Sequence, residues 1–375
     1  MKILHINTNY TYSALHQLMT DALDQIDGIE SQVFSAVYDR KLGVIEPKQN
    51  VCVCECFRKW DRLFFRYKQH KIIKAAEANL HIADFDLIHA YTLFTDGNCA
   101  RKCAQKYGIP YVVAVRNTDV NTQFRLRPNL RRLGVQIMLD AAAVFFLSEP
   151  YRKQVFEQYV PKKYWPMLEK KTYIVPNGID EFWFSHAPEG PKTLGQGPVK
   201  LIYAGRIDSN KNIPTTQKAM ALLRARGYET TLTVVGKVKE PKVLETIQQD
   251  AWTTCLPAMP KEKLVAAYRS TDIFVMPSLY ESFGLVYAEA MSQGLPVIYS
   301  RGQGFDKQFP EGQVGFAVES RSPESVAEGI KKVIDNYTEI AARCVSSAEK
   351  FHWTGFCREY ADIYRRIVCG REGNG

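Results

Sequence analysis

The most informative residues in the sequence are two glutamates, Glu281 and Glu289, which stand eight positions apart. Glu281 falls in a predicted loop, and Glu289 falls in the predicted helix Gly284 to Met291 that follows it. Eight residues of helix span about 12 Å, which is too far for both carboxylates to bind one metal ion or to act as a close acid–base pair. Two carboxylates at this spacing suit the opposite ends of one long ligand.

Two basic residues, Arg206 and Lys211, follow another predicted strand in the same half of the chain. That strand covers Lys200 to Ala204, and Gly205 allows the chain to leave it in a tight turn. In an open parallel sheet, loops at the carboxyl ends of the strands form the ligand crevice, and the start of each following helix attracts an anion. The two cations and the helix that starts near Phe283 therefore predict a site for a negatively charged ligand.

The stretch that holds the two glutamates carries a longer pattern. Residues 277–285 read Pro-Ser-Leu-Tyr-Glu-Ser-Phe-Gly-Leu, and residues 289–297 read Glu-Ala-Met-Ser-Gln-Gly-Leu-Pro-Val. This pattern resembles the signature of the large retaining glycosyltransferase family of GT-B fold, the family 4-like enzymes with a Glu-x7-Glu motif. The resemblance implies an α/β protein with two Rossmann-like domains facing a central cleft. It also implies a C-terminal helix that crosses back to the N-terminal domain.

The resemblance also implies roles for individual residues. Arg206 and Lys211 would stabilise the charge that grows on the β-phosphate of the leaving nucleoside diphosphate, although a basic turn on a solvated surface is the alternative. Glu281 would act at the sugar and phosphate end, and Glu289 would bind the ribose hydroxyls. The predicted catalytic residues are Glu281, Arg206, Lys211 and His89. The residues predicted to bind the donor are Gly205, Arg206, Lys211, Gly236, Leu256, Met259, Glu281, Phe283, Gly284, Leu285 and Glu289.

The first half of the chain alternates strands and helices, which is typical of a parallel sheet. Several of its segments resemble the amino-terminal landmarks of the family in their expected order: Asp86 to Tyr91, Gly108 to Val113, Arg116 with Asp119, Ser148 with Glu149, and Val175 to Asp180. The candidate strands are Lys2 to Asn7, Ser31 to Val37, Leu87 to Ala90, Tyr111 to Arg116, Ala143 to Leu147 and Thr172 to Val175.

This half departs from the family pattern in two places. The loop after the first strand, Asn7 to Ala14, lacks the Gly-Gly pair that many relatives have there, and Arg116 stands where a histidine is common. The resemblance implies that His89 lies near the transferred sugar and that Arg116 and Asp119 lie on the acceptor side. For His89, a polar residue that simply ends a strand is an open alternative.

The length of 375 residues exceeds what one hydrophobic core usually sustains, so two domains are expected. We predict an acceptor-binding domain over 1–184 and a nucleotide-sugar-binding domain over 200–350. The segment 185–199 is rich in Pro and Gly and is the predicted linker. Residues 351–375 are amphipathic and are predicted to form the helix that packs back on the first domain.

The sequence also limits the compartment and the cofactors. Its start runs directly into a strand, no apolar run could span a bilayer, and nine cysteines suggest reduced thiols, so a cytoplasmic protein is expected. Cys52, Cys54 and Cys56 alternate as neighbours in a strand do, and a metal site there is conceivable, although buried thiols are the simpler interpretation. We expect no metal and no cofactor, since the nucleotide sugar is a substrate. The pair Asp84 and Asp86 is interpreted as strand-entry carboxylates.

One segment combines positive charge with aromatic residues. Residues 58–74, here called the basic aromatic segment, contain seven basic residues around Asp61, together with Trp60, Phe64, Phe65 and Tyr67. Such a segment can lie on an anionic membrane surface, or it can be an ordinary amphipathic helix with a solvated basic face. The lipid-linked acceptors of the family favour the membrane. No nucleic-acid-binding motif accompanies the charge, so nucleic acid is not an expected partner.

These observations predict a cytoplasmic, peripheral-membrane, retaining glycosyltransferase that is independent of metal. It would move a hexose from a nucleotide diphosphate sugar, with UDP the commonest choice in the family, to a cell-surface polysaccharide or lipid-linked glycan precursor. Two alternatives are a sugar-nucleotide epimerase or hydrolase on the same fold, and a noncatalytic protein that binds sugar nucleotides. Turnover of the donor without an acceptor would distinguish the first alternative.

Overall fold

A computed structural model describes residues 1–43 and 46–372, which form two compact units. The first unit comprises Met1–Asn177 together with the chain from Trp353 onward, and the second unit is Gly178–His352. Of the predicted C-terminal segment 351–375, the last three residues lie outside the described residues.

The first unit is built on a seven-stranded parallel sheet. Its strands run in the order β3-β2-β1-β4-β5-β6-β7. They are β1 (Lys2–Ile6), β2 (Glu30–Val37), β3 (Val51–Glu55), β4 (Leu87–Ala90), β5 (Tyr111–Val115), β6 (Ala143–Phe146) and β7 (Thr172–Ile174). The central strands are short apolar runs that are buried along their whole length, as expected for strands covered by helices on both faces.

Helices cover both faces of this sheet. They are α1 (Ala14–Asp24), α2 (Phe65–Asn79), α3 (Thr95–Tyr107), α4 (Arg131–Asp140), α5 (Glu149–Tyr159), α6 (Trp165–Glu169) and the C-terminal helix. The C-terminal helix, Trp353–Glu372, packs against α1 in the first unit. Two contacts mark this packing: the Cys357 thiol lies 3.5 Å from the Met19 carbonyl oxygen, and Arg365 donates a hydrogen bond of 3.0 Å to the Asp27 carbonyl.

The second unit repeats the architecture with a six-stranded parallel sheet in the order β10-β9-β8-β11-β12-β13. The strands are β8 (Val199–Ala204), β9 (Thr230–Gly236), β10 (Thr253–Pro257), β11 (Ile273–Met276), β12 (Val297–Ser300) and β13 (Gly315–Val318). The helices are α7 (Glu181–Ser185), α8 (Ile213–Ala225), α9 (Pro241–Ile247), α10 (Lys261–Arg269), α11 (Leu285–Ser292), α12 (Pro323–Asp335) and α13 (Tyr337–Ala348). Numbering in chain order makes the C-terminal helix α14. Two parallel sheets flanked by helices confirm the predicted α/β class.

Two strands, β3 and β13, were not predicted from the sequence, and each lies at the edge of its sheet. The first, β3, carries the alternating cysteines, and the second, β13, has only four residues. An edge strand pairs with one neighbour only, and β3 is half-buried along most of its length, unlike the fully buried central strands. The nine cysteines are all free.

The segment 185–199, suggested by its composition as a linker, lies within the second unit. Lys192 in this segment donates hydrogen bonds of 3.1 and 3.0 Å from Nζ to the carbonyl oxygens of Tyr268 and Arg269, at the end of α10. The amino-terminal part of the first unit ends before it, at Asn177. The segment is therefore anchored to the second unit.

Each sheet reverses its strand order at one point, next to the first strand of the unit. In the first sheet this point lies between β1 and β4, and in the second sheet it lies between β8 and β11. The loops that leave neighbouring strands diverge there, which opens a crevice at the carboxyl edge of the sheet. Of the residues predicted to bind ligand, Arg206, Lys211 and Glu281 lie in the loops that follow β8 and β11.

Candidate active site

In the second unit, the loops that follow β8 and β11 are joined by one asparagine. The backbone carbonyl of Asn210 accepts a hydrogen bond of 2.9 Å from the amide of Leu279. Its side chain donates to the carbonyl of Tyr280 at 2.9 Å and accepts from the amide of the same residue at 3.1 Å. The two loops are thus held as one structure, which fixes the charged residues that they carry.

Lys211 and Glu281 form an ion pair across these two loops. Lys211 Nζ lies 2.6 Å from Glu281 Oε2, and the side chains are only 13% and 12% exposed. The backbone amide of Glu281 donates to the side-chain oxygen of Gln303 at 2.8 Å, which fixes the loop that carries Glu281. A charge-assisted hydrogen bond between half-buried groups orients both side chains. The structure therefore brings together two of the predicted catalytic residues.

Arg206 lies beside this pair but remains open to solvent. Its side chain is 63% exposed, and its Nε lies 3.4 Å from Oδ2 of the buried Asp208. Asp208 also accepts a hydrogen bond of 3.2 Å from the amide of Lys211, and the Tyr203 hydroxyl donates to the Arg206 carbonyl at 2.5 Å. Asp208 and Tyr203 thus hold the backbone of the turn while the guanidinium stays available to a ligand.

Two of the predicted glycines are required by close backbone approach and by backbone conformation. A Cβ on Gly236 would lie 1.6 Å from the carbonyl oxygen of Gly205, so the ends of β8 and β9 can approach only without a side chain there. Gly284, with φ of 81°, is the residue before α11, a conformation that favours glycine. Because Gly284 has no side chain to cap the helix, the first amides of α11, beginning at Leu285, can bind an anion. The Phe283 side chain is buried against Phe305, so only its backbone can serve a ligand.

Glu289 lies on α11 and is half-buried. The pKa of its carboxyl is raised to about 7, mainly by burial, while the nearby Lys261 lowers this pKa and Asp180 raises it. Asp180 and Lys261 form an ion pair with each other, and Asp180 also caps α7 by accepting from the amide of Phe182 at 3.0 Å. Asp180 falls in one of the sequence landmarks, but nothing in the sequence indicates this role. Lys261 was missed because an exposed lysine carries no recognisable signal.

Leu256 and Met259 lie at the carboxyl end of the edge strand β10. Leu256 is exposed and pairs with Val235, next to Gly236, while Met259 is half-buried beyond the strand. Both residues are on the same edge of the sheet as the ion pair of Lys211 and Glu281. Their predicted contact with the nucleobase stays a prediction.

His89 lies in the interior of the first unit. It is fully buried on β4, its Nδ1 lies 2.6 Å from the hydroxyl of Tyr364 on α14, and its ring stacks on Tyr91 at 4.5 Å. Burial lowers its pKa well below the ordinary value, and the nearby His5, Arg116 and His16 lower it further. The structure places His89 inside the first unit, where it joins the sheet to α14. Its catalytic role stays a prediction.

Arg116 and Asp119 lie together at the carboxyl end of β5, and both are buried. Asp119 accepts hydrogen bonds from three backbone amides, those of Arg116 at 2.9 Å, Leu93 at 3.0 Å and Phe94 at 3.3 Å. Burial raises the pKa of Asp119 to about 6. A π-helical segment, Asp119–Phe124, begins at this residue. Asp119 therefore holds the loops after β4 and β5 in register.

Within residues 1–43 and 46–372, no group of three or more His, Cys, Asp or Glu side chains is arranged to hold a metal ion. In the same part of the chain, no helix has both the length and the apolar character needed to cross a membrane.

Two protein-family models match the chain, one for each half. The model of "Glycosyltransferase Family 4" matches residues 18–181, and the model of "Glycosyl transferases group 1" matches residues 190–351. The D-inositol 3-phosphate glycosyltransferase of Paenarthrobacter aurescens is 26% identical over 307 residues, which cover 76% of this chain and 74% of that protein. The glycogen synthase of Mycobacterium tuberculosis is 25% identical over 294 residues, covering 74% and 68% respectively.

Solved structures share the fold over almost the whole chain. The sucrose-phosphate synthase of Thermosynechococcus elongatus superposes with a TM-score of 0.77 at 19% identity, covering 99% of this chain and 100% of that chain. Anabaena HepE in complex with UDP superposes with a TM-score of 0.71 at 17% identity, covering 96% and 99%. The two matching family models show that the chain belongs to the group 1 and family 4 glycosyltransferases. Its two parallel sheets and the superposed structures show that it has the GT-B fold.

Proposed function

We propose that this glycosyltransferase moves a hexose from a nucleotide diphosphate sugar, with UDP as the nucleotide, to a cell-surface polysaccharide or a lipid-linked glycan precursor. The observation that carries this proposal is the ion pair of Lys211 and Glu281, with Arg206 beside it, where the second sheet reverses its strand order. The uncapped start of α11 follows the same loop. Together these groups form a preorganised site in which each of two cations, Lys211 and Arg206, already has a carboxylate partner, Glu281 and Asp208 respectively.

The positive groups match the charge that develops during the reaction. When the bond between the sugar and the diphosphate breaks, negative charge grows on the β-phosphate and must be stabilised. Arg206 is exposed enough to contact a phosphate directly, while Lys211 is fixed in position by Glu281. In this proposal, the two cations and the amides of α11 supply the stabilisation that a divalent cation supplies elsewhere, so the reaction needs no metal.

Glu289 is proposed to bind the ribose. An ionised carboxylate can accept hydrogen bonds from two neighbouring hydroxyl groups, and a pKa of about 7 leaves a substantial ionised fraction at neutral pH. The ammonium of Lys261 favours the ionised form. The nucleobase would then lie toward Leu256 and Met259, on the neighbouring end of β10.

The stereochemical course is proposed to be retention by front-face attack. The acceptor hydroxyl oxygen bonds to the anomeric carbon on the face from which the diphosphate departs, and a phosphate oxygen of the leaving group takes the hydroxyl proton. The bond between the anomeric carbon and the phosphate oxygen breaks, and its electron pair leaves with the diphosphate. Trapping of a covalent glycosyl–enzyme on any side chain would contradict this course.

The choice of UDP is supported by a neighbour in structure. Anabaena HepE has been solved in complex with UDP and glucose, whereas the starch synthase IV of Arabidopsis thaliana has been solved with ADP. Thermal unfolding of this protein with UDP, ADP and GDP at equal concentration tests the choice, because a ligand that binds only the folded state raises its stability. We expect the largest increase in the melting temperature with UDP.

The acceptor is proposed to be presented at the inner face of the cell membrane. Four large apolar side chains of the basic aromatic segment are exposed, Trp60 the most at 76%, followed by Leu63, Phe64 and Tyr67. Exposed basic residues, Arg58, Lys59 and Arg66, flank them, and the Arg62 side chain lies outside the described part. An exposed apolar group with a basic rim matches the interface of an anionic bilayer.

The decisive experiment measures transfer itself. Purified protein is incubated with UDP-glucose or UDP-galactose and a lipid-linked glycan fraction, and both UDP release and the anomeric configuration of the product are followed by NMR. We expect UDP release that depends on the acceptor, with retention of configuration. Release or epimerisation without acceptor would support the epimerase or hydrolase alternative, and binding without any turnover would support the noncatalytic one.

A further inference from the structure

Arg116 carries a buried positive charge that the described residues do not neutralise. The residue is 9% exposed, and Nη2 of its guanidinium is buried without a hydrogen-bond partner in the described part of the chain. Its other contacts are to neutral groups: Nη1 donates to the side-chain oxygen of Asn177 at 2.8 Å, and Nε donates to the carbonyl of Tyr91 at 3.3 Å. A guanidinium removed from water in this way is costly unless an opposite charge reaches it.

No group near Arg116 in the described part of the chain supplies a negative charge to its guanidinium. Within residues 1–43 and 46–372, no carboxylate lies within ion-pair distance of the Arg116 guanidinium. Asp119 is next to it in the loop, but its oxygens accept from backbone amides. The nearby imidazoles of His16 and His89 are buried, and burial lowers the pKa of both, that of His16 to about 3. They are therefore uncharged at neutral pH.

The position of Arg116 is that of a ligand-binding residue. It follows β5, while its partners Tyr91 and Asn177 follow β4 and β7, so three loops converge at the carboxyl edge of the first sheet. His16 on α1 packs the edge of its ring against Tyr91, with the ring centroids 4.9 Å apart, and its buried Nδ1 has no partner among the described residues. Two unpaired polar atoms therefore border the same tyrosine, at the edge of the sheet where crevices form.

We propose that Arg116 binds an oxyanion carried by the acceptor, a phosphate or a carboxylate, with His16 as a second hydrogen-bonding group. The proposal rests on the function proposed above, in which the groups that hold the donor diphosphate, Arg206, Lys211 and the start of α11, all belong to the second unit. The donor therefore has its own cations, and the charge of Arg116 serves the other substrate. The planar guanidinium can donate two parallel hydrogen bonds to one oxyanion.

The test measures the binding of inorganic phosphate and of acetate to the whole protein saturated with UDP, by isothermal titration calorimetry at constant ionic strength. The variants are Arg116→Gln and Arg116→Lys, with Arg132→Gln, an exposed arginine of the same unit, as control. Loss of a charge-assisted hydrogen bond predicts at least about tenfold weaker binding in Arg116→Gln. Arg116→Lys, which keeps the charge without the fork, is expected to be intermediate, and Arg132→Gln is expected to match the wild type.

The outcomes separate the alternatives. Tighter binding of phosphate than of acetate assigns a phosphorylated acceptor, and the reverse assigns a carboxylated one. The proposal is overturned if neither anion binds the wild type, if Arg116→Gln and Arg116→Lys both bind as the wild type does, or if saturation with UDP abolishes the binding, since the site would then belong to the donor diphosphate. If Arg116→Gln fails to fold, Arg116→Lys carries the test. Failure of UDP to bind at all would instead contradict the proposed function, and the same titration without UDP would still test Arg116.

Discussion

The carboxyl edges of the two sheets differ in how their charged side chains are paired. In the second unit, charges are paired: Lys211 with Glu281, Arg206 with Asp208, and Lys261 with Asp180. In the first unit, the corresponding edge holds buried, uncharged imidazoles and one guanidinium without a carboxylate partner among the described residues. The second edge is a network of ion pairs, whereas the first edge combines neutral rings with the Arg116 guanidinium and with Asp119, which accepts from backbone amides.

On the proposals above, this difference corresponds to two modes of substrate binding. A paired edge is preorganised, because its cations are already oriented before a phosphate arrives, and the cost of ordering them is met during folding. The edge in the first unit leaves Nη2 of Arg116 without a partner among the described residues, which, on the proposal above, makes it selective for an oxyanion. Such a division suits an enzyme whose donor carries a diphosphate and whose acceptor varies on a common scaffold.

The strongest test of this comparison removes Lys211, the cation paired with Glu281. Lys211→Met is expected to lower the rate of sugar transfer about 100- to 1,000-fold, as found when a fixed group that stabilises transition-state charge is lost. The measurement is kcat with the donor at saturation. Lys218→Met, which removes an exposed lysine on α8, should leave the rate unchanged. A rate near the wild-type value in Lys211→Met would remove Lys211 from the catalytic site.

The second test concerns the titration of Glu289. Because burial raises its pKa to about 7, folding favours the protonated carboxyl, and the resulting stability is present at low pH and is lost as the pH rises through 7. Glu289→Gln should therefore gain stability relative to the wild type between pH 5 and pH 8, by at most about 3 kcal/mol. Urea denaturation at both pH values measures this gain. The exposed Glu245→Gln serves as control, and an equal difference at both pH values would mean that Glu289 titrates normally.

The third test addresses the neutral network of the first unit. Tyr364→Phe removes the hydrogen bond to His89, whose other ring nitrogen is already buried without a partner in the described residues. Leaving the ring unsatisfied should lower the free energy of unfolding by about 1–3 kcal/mol, while the half-buried Tyr173→Phe should have a smaller effect. We expect the pH profile of transfer to stay the same. A shifted profile would support the catalytic role predicted for His89 from the sequence.

The smallest expected effect concerns the membrane. Arg66→Gln removes one exposed charge from the basic aromatic segment and should weaken binding to anionic liposomes about fivefold, because each basic residue near such a surface contributes about 1 kcal/mol. Flotation with phosphatidylserine vesicles measures the binding. Lys170→Gln, an exposed lysine elsewhere in the first unit, should float as the wild type does, and equal flotation of Arg66→Gln would argue against this surface.

The two edges also differ in how far the sequence predicts them. Most of the paired edge is encoded by two short segments, 205–212 and 277–289, in which glycines, charges and predicted strands mark it in the sequence alone. The central strands were predictable for the same reason, since each is one apolar run. The third ion pair of the paired edge, Asp180 with Lys261, lies outside the two short segments and has no such signal. The edge in the first unit joins His16, Arg116, Asn177 and Tyr364, which are far apart in sequence. No local pattern shows that Tyr364 reaches His89, or that Arg116 lacks a carboxylate partner among the described residues, because both facts depend on tertiary packing.

The path of the chain through the two units has a consequence for folding. The second unit is one continuous insertion, and its two ends lie side by side: Ile179 pairs with His352 in a parallel bridge, and its amide donates to the carbonyl of Phe351 at 2.9 Å. The first unit, in contrast, needs α14 to cover α1 and to bond His89. During translation, all residues of the second unit are therefore synthesised before α14 completes the first unit. We expect the first unit to stay incomplete until α14 has been synthesised, while the second unit can already be folded and could be expressed alone.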